Sequence, residues 1–197
     1  MRPHDLLRLT PRAALVADDV PGWVAPALAR APFVVVRRVE IQGDLVPVGV
    51  RGTTRSERFP ALLRARDIAE AITPEALARA TPVRLELPAL AALPLVANIA
   101  ALFDLVWGPG GSVGFELASG APAVTDESDL DVILRPDARH TREALAEFLR
   151  LVDELDIRID ATIESDVGAV ALREWLVSPE RALIKTKSGP QLGAFSW

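Results

Sequence analysis

The chain of 197 residues contains no cysteine, which removes disulfides, thiolate zinc sites and a cysteine nucleophile from consideration. Histidine is nearly missing as well. Only His4 and His140 occur, so a histidine-rich metal centre is excluded and a Ser-His-Asp triad would have to use one of the two. Both read as surface residues, His4 near the N-terminus and His140 just ahead of a helical stretch. There is no basic excess: the formal net charge of −5 speaks against a general nucleic-acid binder, which concentrates lysine and arginine. No long apolar run is unbroken. The most hydrophobic stretch, 87–107, approaches bilayer-spanning length but is interrupted by Pro88, Pro94, Asn98 and Asp104, and reads as a buried helix feeding a strand. The N-terminal MRPHDLLRLTPRAA lacks the sustained apolar core of a signal peptide. A cytoplasmic protein without membrane or nucleic-acid partner is the expectation. Internal repeats and low-complexity tracts are absent too.

What is present is a core. Half of the residues are hydrophobic, enough to exclude wholesale disorder, and the length suits one large domain or two small ones. Thr81-Pro82 and Pro88 mark the expected division, giving an N-terminal α+β piece over 1–85 and a second piece over 86–197. In the first, apolar pieces at 5–9 and 13–17 flank Pro11, and 23–30 suits a short helix. Residues 33–41 and 45–51 read as strands, with Pro47 putting the second at an edge or bulge. Residues 62–71 read as a helix, and Thr73-Pro74-Glu75 opens another with a cap, a proline at the first position and an acidic first turn. In the second piece, helices are expected over 95–105 and 142–155. The latter is capped by Thr141 and presents Leu145, Phe148, Leu149 and Val152 on one face. Strands are expected over 129–135, 157–163, 168–172 and 181–187, with 173–177 helix-like. The class is α+β.

The chemistry concentrates between Trp107 and Arg135. Gly110-Gly111-Ser112 forms a turn whose backbone N–H groups can approach an anion closely, because glycine has no Cβ. A strand follows, carrying Asp129 and Asp131. Alternate residues of a strand share a face at a separation of roughly 6.5 Å, so both carboxylates point one way while Leu130 and Val132 point to a core. Hard oxygen ligands of this kind suit magnesium, completed by water and substrate phosphates. Each feature alone also has a plain reading, a common turn and a solvated strand face. Their order is more specific: apolar run, Gly-Ser turn, connection, Asp-X-Asp strand. A P-loop is excluded, since no Lys-Ser/Thr follows the glycines of GPGGSVG.

Two further groups remain open from the residues alone. The 157–163 strand alternates cleanly and presents Asp160 on its polar face, either to solvent or, if paired beside the 129–135 strand, as a third carboxylate. Arg51, Arg55 and Arg58 lie within one short segment, either a solvated loop or a phosphate site suited to the planar guanidinium fork. Lys185 and Lys187 share a strand face and offer charge to phosphates or to a partner protein.

The Gly-Ser turn followed by Asp-X-Asp resembles the nucleotidyltransferase superfamily. That likeness implies a mixed β-sheet with flanking helices, joined here to a smaller N-terminal α+β domain. Together with HDLLRL, VGVRGTTRSERF and the TPEALA helix start, the segment WGPGGSVGFELASG…SDLDVIL resembles the malonate decarboxylase holo-acyl-carrier-protein synthases, or phosphoribosyl-dephospho-CoA transferases. The resemblance implies transfer of a prosthetic group from 2′-(5″-triphosphoribosyl)-3′-dephospho-CoA to a serine of the apo-acyl-carrier subunit of malonate decarboxylase, with pyrophosphate leaving. It implies that Asp129, Asp131 and Asp160 are catalytic and hold Mg2+, with two ions expected to clamp an in-line displacement. Gly110, Gly111, Ser112, Arg51, Arg55, Arg58 and Lys185 are the implied substrate contacts. The competing expectations are another metal-dependent nucleotidyltransferase, such as one adding AMP to a protein or small molecule, and a non-catalytic nucleotide-binding module.

Overall fold

The computed structural model describes residues 1–54 and 56–197. The chain divides into two units, Met1–Thr73 with Phe115–Ala123, and Pro74–Gly114 with Val124–Trp197. Both combine helices with a multi-stranded sheet, so the fold is α+β.

The first unit contains β1 (Leu6–Leu9), β2 (Leu15–Val16), α1 (Val24–Arg30), β3 (Phe33–Val36), β4 (Leu45–Arg51), β5 (Arg58–Arg64) and β6 (Ile68–Ile72). They form an antiparallel sheet in the order β2-β5-β4-β3-β1-β6. Val46, Val48 and Val50 alternate along β4 into a core shared with Leu7, Val34, Leu63 and Val24 of α1. Three expectations are corrected here. Residues 62–71 are not helical: they form the end of β5, a 3-10 turn (Ala65–Asp67) and β6. Their helix-forming leucine, alanine and arginine are overridden by pairing, because β5 runs in register with β4 along its whole length. The 33–41 run stops pairing at Val36. Pro47 lies on an interior strand, not an edge. Its carbonyl accepts from Arg37 N–H at 2.9 Å just beyond the end of β3, where the missing proline donor is not needed.

The second unit contains α2 (Pro74–Leu77), α3 (Pro88–Ala91), α4 (Leu93–Leu102), β7 (Trp107–Pro109), the start of α5 (Gly111–Ser119), β8 (Leu130–Leu134), α6 (Arg142–Val152), β9 (Ile159–Glu164), β10 (Ala169–Ala171), α7 (Leu172–Val177), β11 (Ala182–Thr186) and β12 (Gly189–Gly193). The sheet order is β12-β11-β10-β9-β8-β7, mixed because β8 and β9 are parallel while the other pairs are antiparallel. Parallel neighbours need a crossover, and α6 supplies it. Thr141 caps this helix by accepting from Ala144 N–H at 3.2 Å, and Leu145, Phe148, Leu149 and Val152 are its buried face. Phe148 meets Phe103 edge to face at 6.4 Å. His140, expected at the surface, is buried, with Nδ1 against Asp137.

Thr81-Pro82 and Pro88 lie inside the second unit, which begins at Pro74. The start of α2 is held against β7. A Cβ on Gly108 would stand 1.9 Å from the Pro74 carbonyl oxygen, and Glu75 pairs with the half-buried Arg135 guanidinium. Among the described residues no helix is long and apolar enough to cross a membrane.

Candidate active site

The glycine turn and the first carboxylate strand are built into each other. Gly110 N–H donates to the Asp131 carbonyl at 2.9 Å, so β7 and β8 stay paired up to the point where α5 begins. Gly111 then adopts φ of 54°, and a Cβ there would lie 1.8 Å from Asp131 Oδ2. Only glycine leaves room for that carboxylate. Ser112 follows in the first turn of the helix and is buried. The turn and the helix start are therefore one feature, with α5 beginning at Gly111.

The second carboxylate arrives through the crossover. In the parallel β8–β9 pair, Asp131 stands opposite Asp160. Opposed residues share a face, and neighbouring strands lie about 4.8 Å apart. Asp129 stands one residue before β8, on the same alternation as Asp131, where the adjacent Leu130 N–H donates to the Arg158 carbonyl at 3.0 Å. Both Asp129 and Asp131 are half-buried.

Arg158 is the residue that sequence reasoning passed over. Its guanidinium forks onto Asp160, Nε to Oδ1 at 3.2 Å and Nη2 to Oδ2 at 2.9 Å. Hydrogen bonding to Asp160 and the Asp160 charge raise its pKa, with further support from the charges of Asp129 and Asp131. A single cation thus feels all three carboxylates. The signal was available, since Arg158 and Asp160 are alternate residues approaching one strand.

Asp131, Asp160 and Lys185 line one cleft of about 680 Å³, together with Thr162, Arg173 and Arg181 among others. The magnesium expectation can be weighed against this geometry. Among the described residues, no group of three His, Cys, Asp or Glu side chains is disposed to hold a metal ion. Asp160 has its oxygens turned to Arg158. Asp131 and Asp160, opposed on adjacent strands with the Asp131 carboxylate in the place of a Gly111 side chain, are nonetheless a hard-oxygen pair of the kind magnesium uses when phosphate oxygens and water complete its shell.

The arginine segment lies in the first unit. Arg51 and Arg58 are opposed at the end of the β4–β5 hairpin, and Arg55 lies outside the described residues. Arg51 donates to the Ala123 carbonyl at 3.2 Å and sits over the Phe115 ring, 5.9 Å from its centroid. Arg58 donates to the carbonyls of Thr54 and Glu57. The hairpin loop is closed by Glu57, whose carboxylate accepts from Thr54 N–H and from the hydroxyl and N–H of Thr53, which lowers its pKa.

Comparison with known proteins completes the picture. Residues 76–194 match the phosphoribosyl-dephospho-CoA transferase MdcG C-terminal domain, and residues 2–74 match the corresponding N-terminal domain. The chain belongs to this family. Among its relatives is the phosphoribosyl-dephospho-CoA transferase of Pseudomonas syringae pv. tomato, 41% identical over 99% of this chain and 92% of the relative. The Pseudomonas putida enzyme of the same name is 42% identical, covering all of this chain and 95% of its own length. One from Klebsiella pneumoniae is 40% identical over all of this chain and 96% of its own. No solved structure matches the chain significantly. Phosphoribosyl-dephospho-CoA transferases are transferase enzymes, and the cleft with its opposed aspartates lies wholly within the matched C-terminal domain.

Proposed function

We propose that this transferase moves the phosphoribosyl-dephospho-CoA group of 2′-(5″-triphosphoribosyl)-3′-dephospho-CoA onto a serine of the apo-acyl-carrier subunit of malonate decarboxylase. The serine oxygen forms a phosphodiester, the bond to the outer two phosphates breaks, and pyrophosphate leaves with the electron pair. The observation that carries the reading is the facing of Asp131 and Asp160 across β8 and β9 beside the Gly111 turn, in a family named for this donor group. Gly110, Gly111 and Ser112 are proposed donor contacts, because the N–H groups at the start of α5 suit a donor phosphate. Asp129 and Asp131 hold the cation side of the site, and Asp160 serves as further ligand or as acceptor of the serine proton. Magnesium bound by these carboxylates supplies neutralising charge to the phosphate oxygens. Such a transfer runs on positioning and electrostatics and asks for no protein nucleophile, in keeping with a chain that lacks cysteine. Arg51, Arg55 and Arg58 are proposed donor contacts. Substituting Arg51 or Arg58 should raise the donor dissociation constant more than it lowers the rate of bound donor.

The test is a transfer assay with purified apo-carrier, the triphosphoribosyl donor and magnesium, read by mass spectrometry of the carrier. The carrier should gain the phosphoribosyl-dephospho-CoA mass, and Asp129→Ala and Asp131→Ala should abolish the gain. A nucleotide adduct formed from ATP, with none from the triphosphoribosyl donor, would replace this reading with another nucleotidyl transfer. No adduct from either donor would leave a binding module.

A further inference from the structure

The cleft beside the aspartates has a basic far side, and the sheet itself explains why it is open. β10 pairs with β9 only through Glu164, Ile163 and Thr162, and at Ala171 the chain leaves the sheet to become α7. The first half of β9, Ile159–Ala161, therefore has a strand neighbour in β8 alone. The space left on its other side is the cleft, and its far wall is the 3-10 turn Pro179–Arg181 followed by β11.

Two cations stand on that wall. Arg181 ends the 3-10 turn and Lys185 lies on β11, both exposed, and among the described residues neither has a carboxylate partner. The neighbouring charges are spoken for: Arg173 is forked onto Asp153 at 2.6 and 3.0 Å, and Glu174 accepts from the Leu183 N–H at 2.9 Å. The pairing register fixes the side on which Lys185 projects. Lys185 opposes Ala169, Ala169 opposes Glu164, and Glu164 alternates with Thr162 and Asp160. Opposed residues share a face and alternate residues return to it. Lys185 thus lies on the face that carries Asp160 and, opposite it, Asp131.

The cleft accordingly has carboxylates at one side and unpartnered cations at the other. Two strand spacings, about 10 Å, separate β9 from β11. That span, with long side chains reaching in, suits a diphosphate better than a single phosphate. We infer that Arg181 and Lys185 bind the diphosphate leaving group of the donor, Arg181 through its planar fork and Lys185 as a point charge. This rests on the phosphoryl-transfer reading above. As the serine–phosphorus bond forms and the bond to the diphosphate breaks, negative charge builds on the departing oxygen. Cations aimed there stabilise the transition state more than the ground state. Diphosphate is thus both the product and the ligand this wall recognises.

The test is calorimetric titration of the full chain with inorganic pyrophosphate, with and without magnesium, run beside the carrier-transfer assay. Arg181→Gln and Lys185→Gln should each weaken pyrophosphate binding about tenfold or more. Arg66→Gln, an exposed arginine of the first unit, should leave it unchanged. Unaltered melting temperatures confirm that the variants fold. In transfer, kcat should fall in both cleft variants with little change in KM for the carrier. If wild type transfers the group to the carrier but pyrophosphate affinity is the same in all variants, the inference fails and the functional reading stands. If both cleft variants lose pyrophosphate binding while no variant or wild type modifies the carrier, the anion site stands and the carrier reading falls. Wild type that binds no pyrophosphate overturns the inference.

Discussion

Replacing Gly111 by alanine tests whether the turn exists to accommodate Asp131. Gly111 has φ of 54°, a conformation that costs an alanine about 1–2 kcal/mol. Its Cβ would also fall 1.8 Å from Asp131 Oδ2 and 2.8 Å from Cγ. To regain ordinary contact the carboxylate must retreat by about 1.5 Å. A displacement of that order at a reacting centre costs on the order of 100-fold in rate. Gly120, at the other end of α5, provides the control, since its φ is 70° and a Cβ there meets nothing within 4 Å. Gly120→Ala should lose about 1–2 kcal/mol in urea denaturation followed by tryptophan fluorescence, and Gly111→Ala that and more, for the displaced carboxylate. Only Gly111→Ala should lose about two orders of magnitude in kcat/KM for group transfer. Equal activity in the two variants would refute the argument, because it would mean that the Asp131 carboxylate can move without consequence.

Other perturbations probe the frame and the charges. Phe148→Ala removes a fully buried ring from the α6 core and should cost about 3–5 kcal/mol; a loss under about 1 kcal/mol would mean that α6 is not anchored there. Arg158→Gln frees both Asp160 oxygens, so Mn2+ affinity of the donor-free protein, read by electron paramagnetic resonance, should rise about two- to fivefold, and an unchanged affinity refutes the competition. Hydrogen bonds from Arg139 hold the Asp137 carboxyl below its ordinary range. A depressed folded pKa stabilises above the unfolded value, and this part is lost as pH falls through the folded one. Urea midpoints should therefore drop on acidification below about pH 4, and Asp137→Asn should make that drop shallower; an identical acid profile would contradict it.

The amphipathic helix α6 and the alternating strands β4, β8 and β9 could be read from the chain because each carries its own period and its own stops. Thr141 and the Leu145–Phe148–Leu149–Val152 face needed no partner to be recognised. Helix was the wrong expectation for 62–71 because alanine, leucine and arginine favour it locally, while pairing with β4 is a long-range gain that no local window contains. His140 looked like a surface residue from its place just ahead of a helix, yet it is buried against Asp137 and the Asp104 carbonyl, partners supplied by a turn and by a distant loop.

At the candidate site the same division holds. The sequence alone determined that Asp129 and Asp131 share one alternation and that Gly110-Gly111-Ser112 makes a tight turn, since both follow from local geometry. Alternation likewise put Asp160 on the polar side of its strand. Tertiary structure alone decided that Asp160 stands opposite Asp131, because parallel pairing depends on the α6 crossover and its register. It also decided that Asp131 fills the space a Gly111 side chain would occupy, and that the early end of β10 opens a cleft walled by Arg181 and Lys185. Those are contacts between segments distant along the chain, and loop closure and packing, not local preference, determine which of them meet.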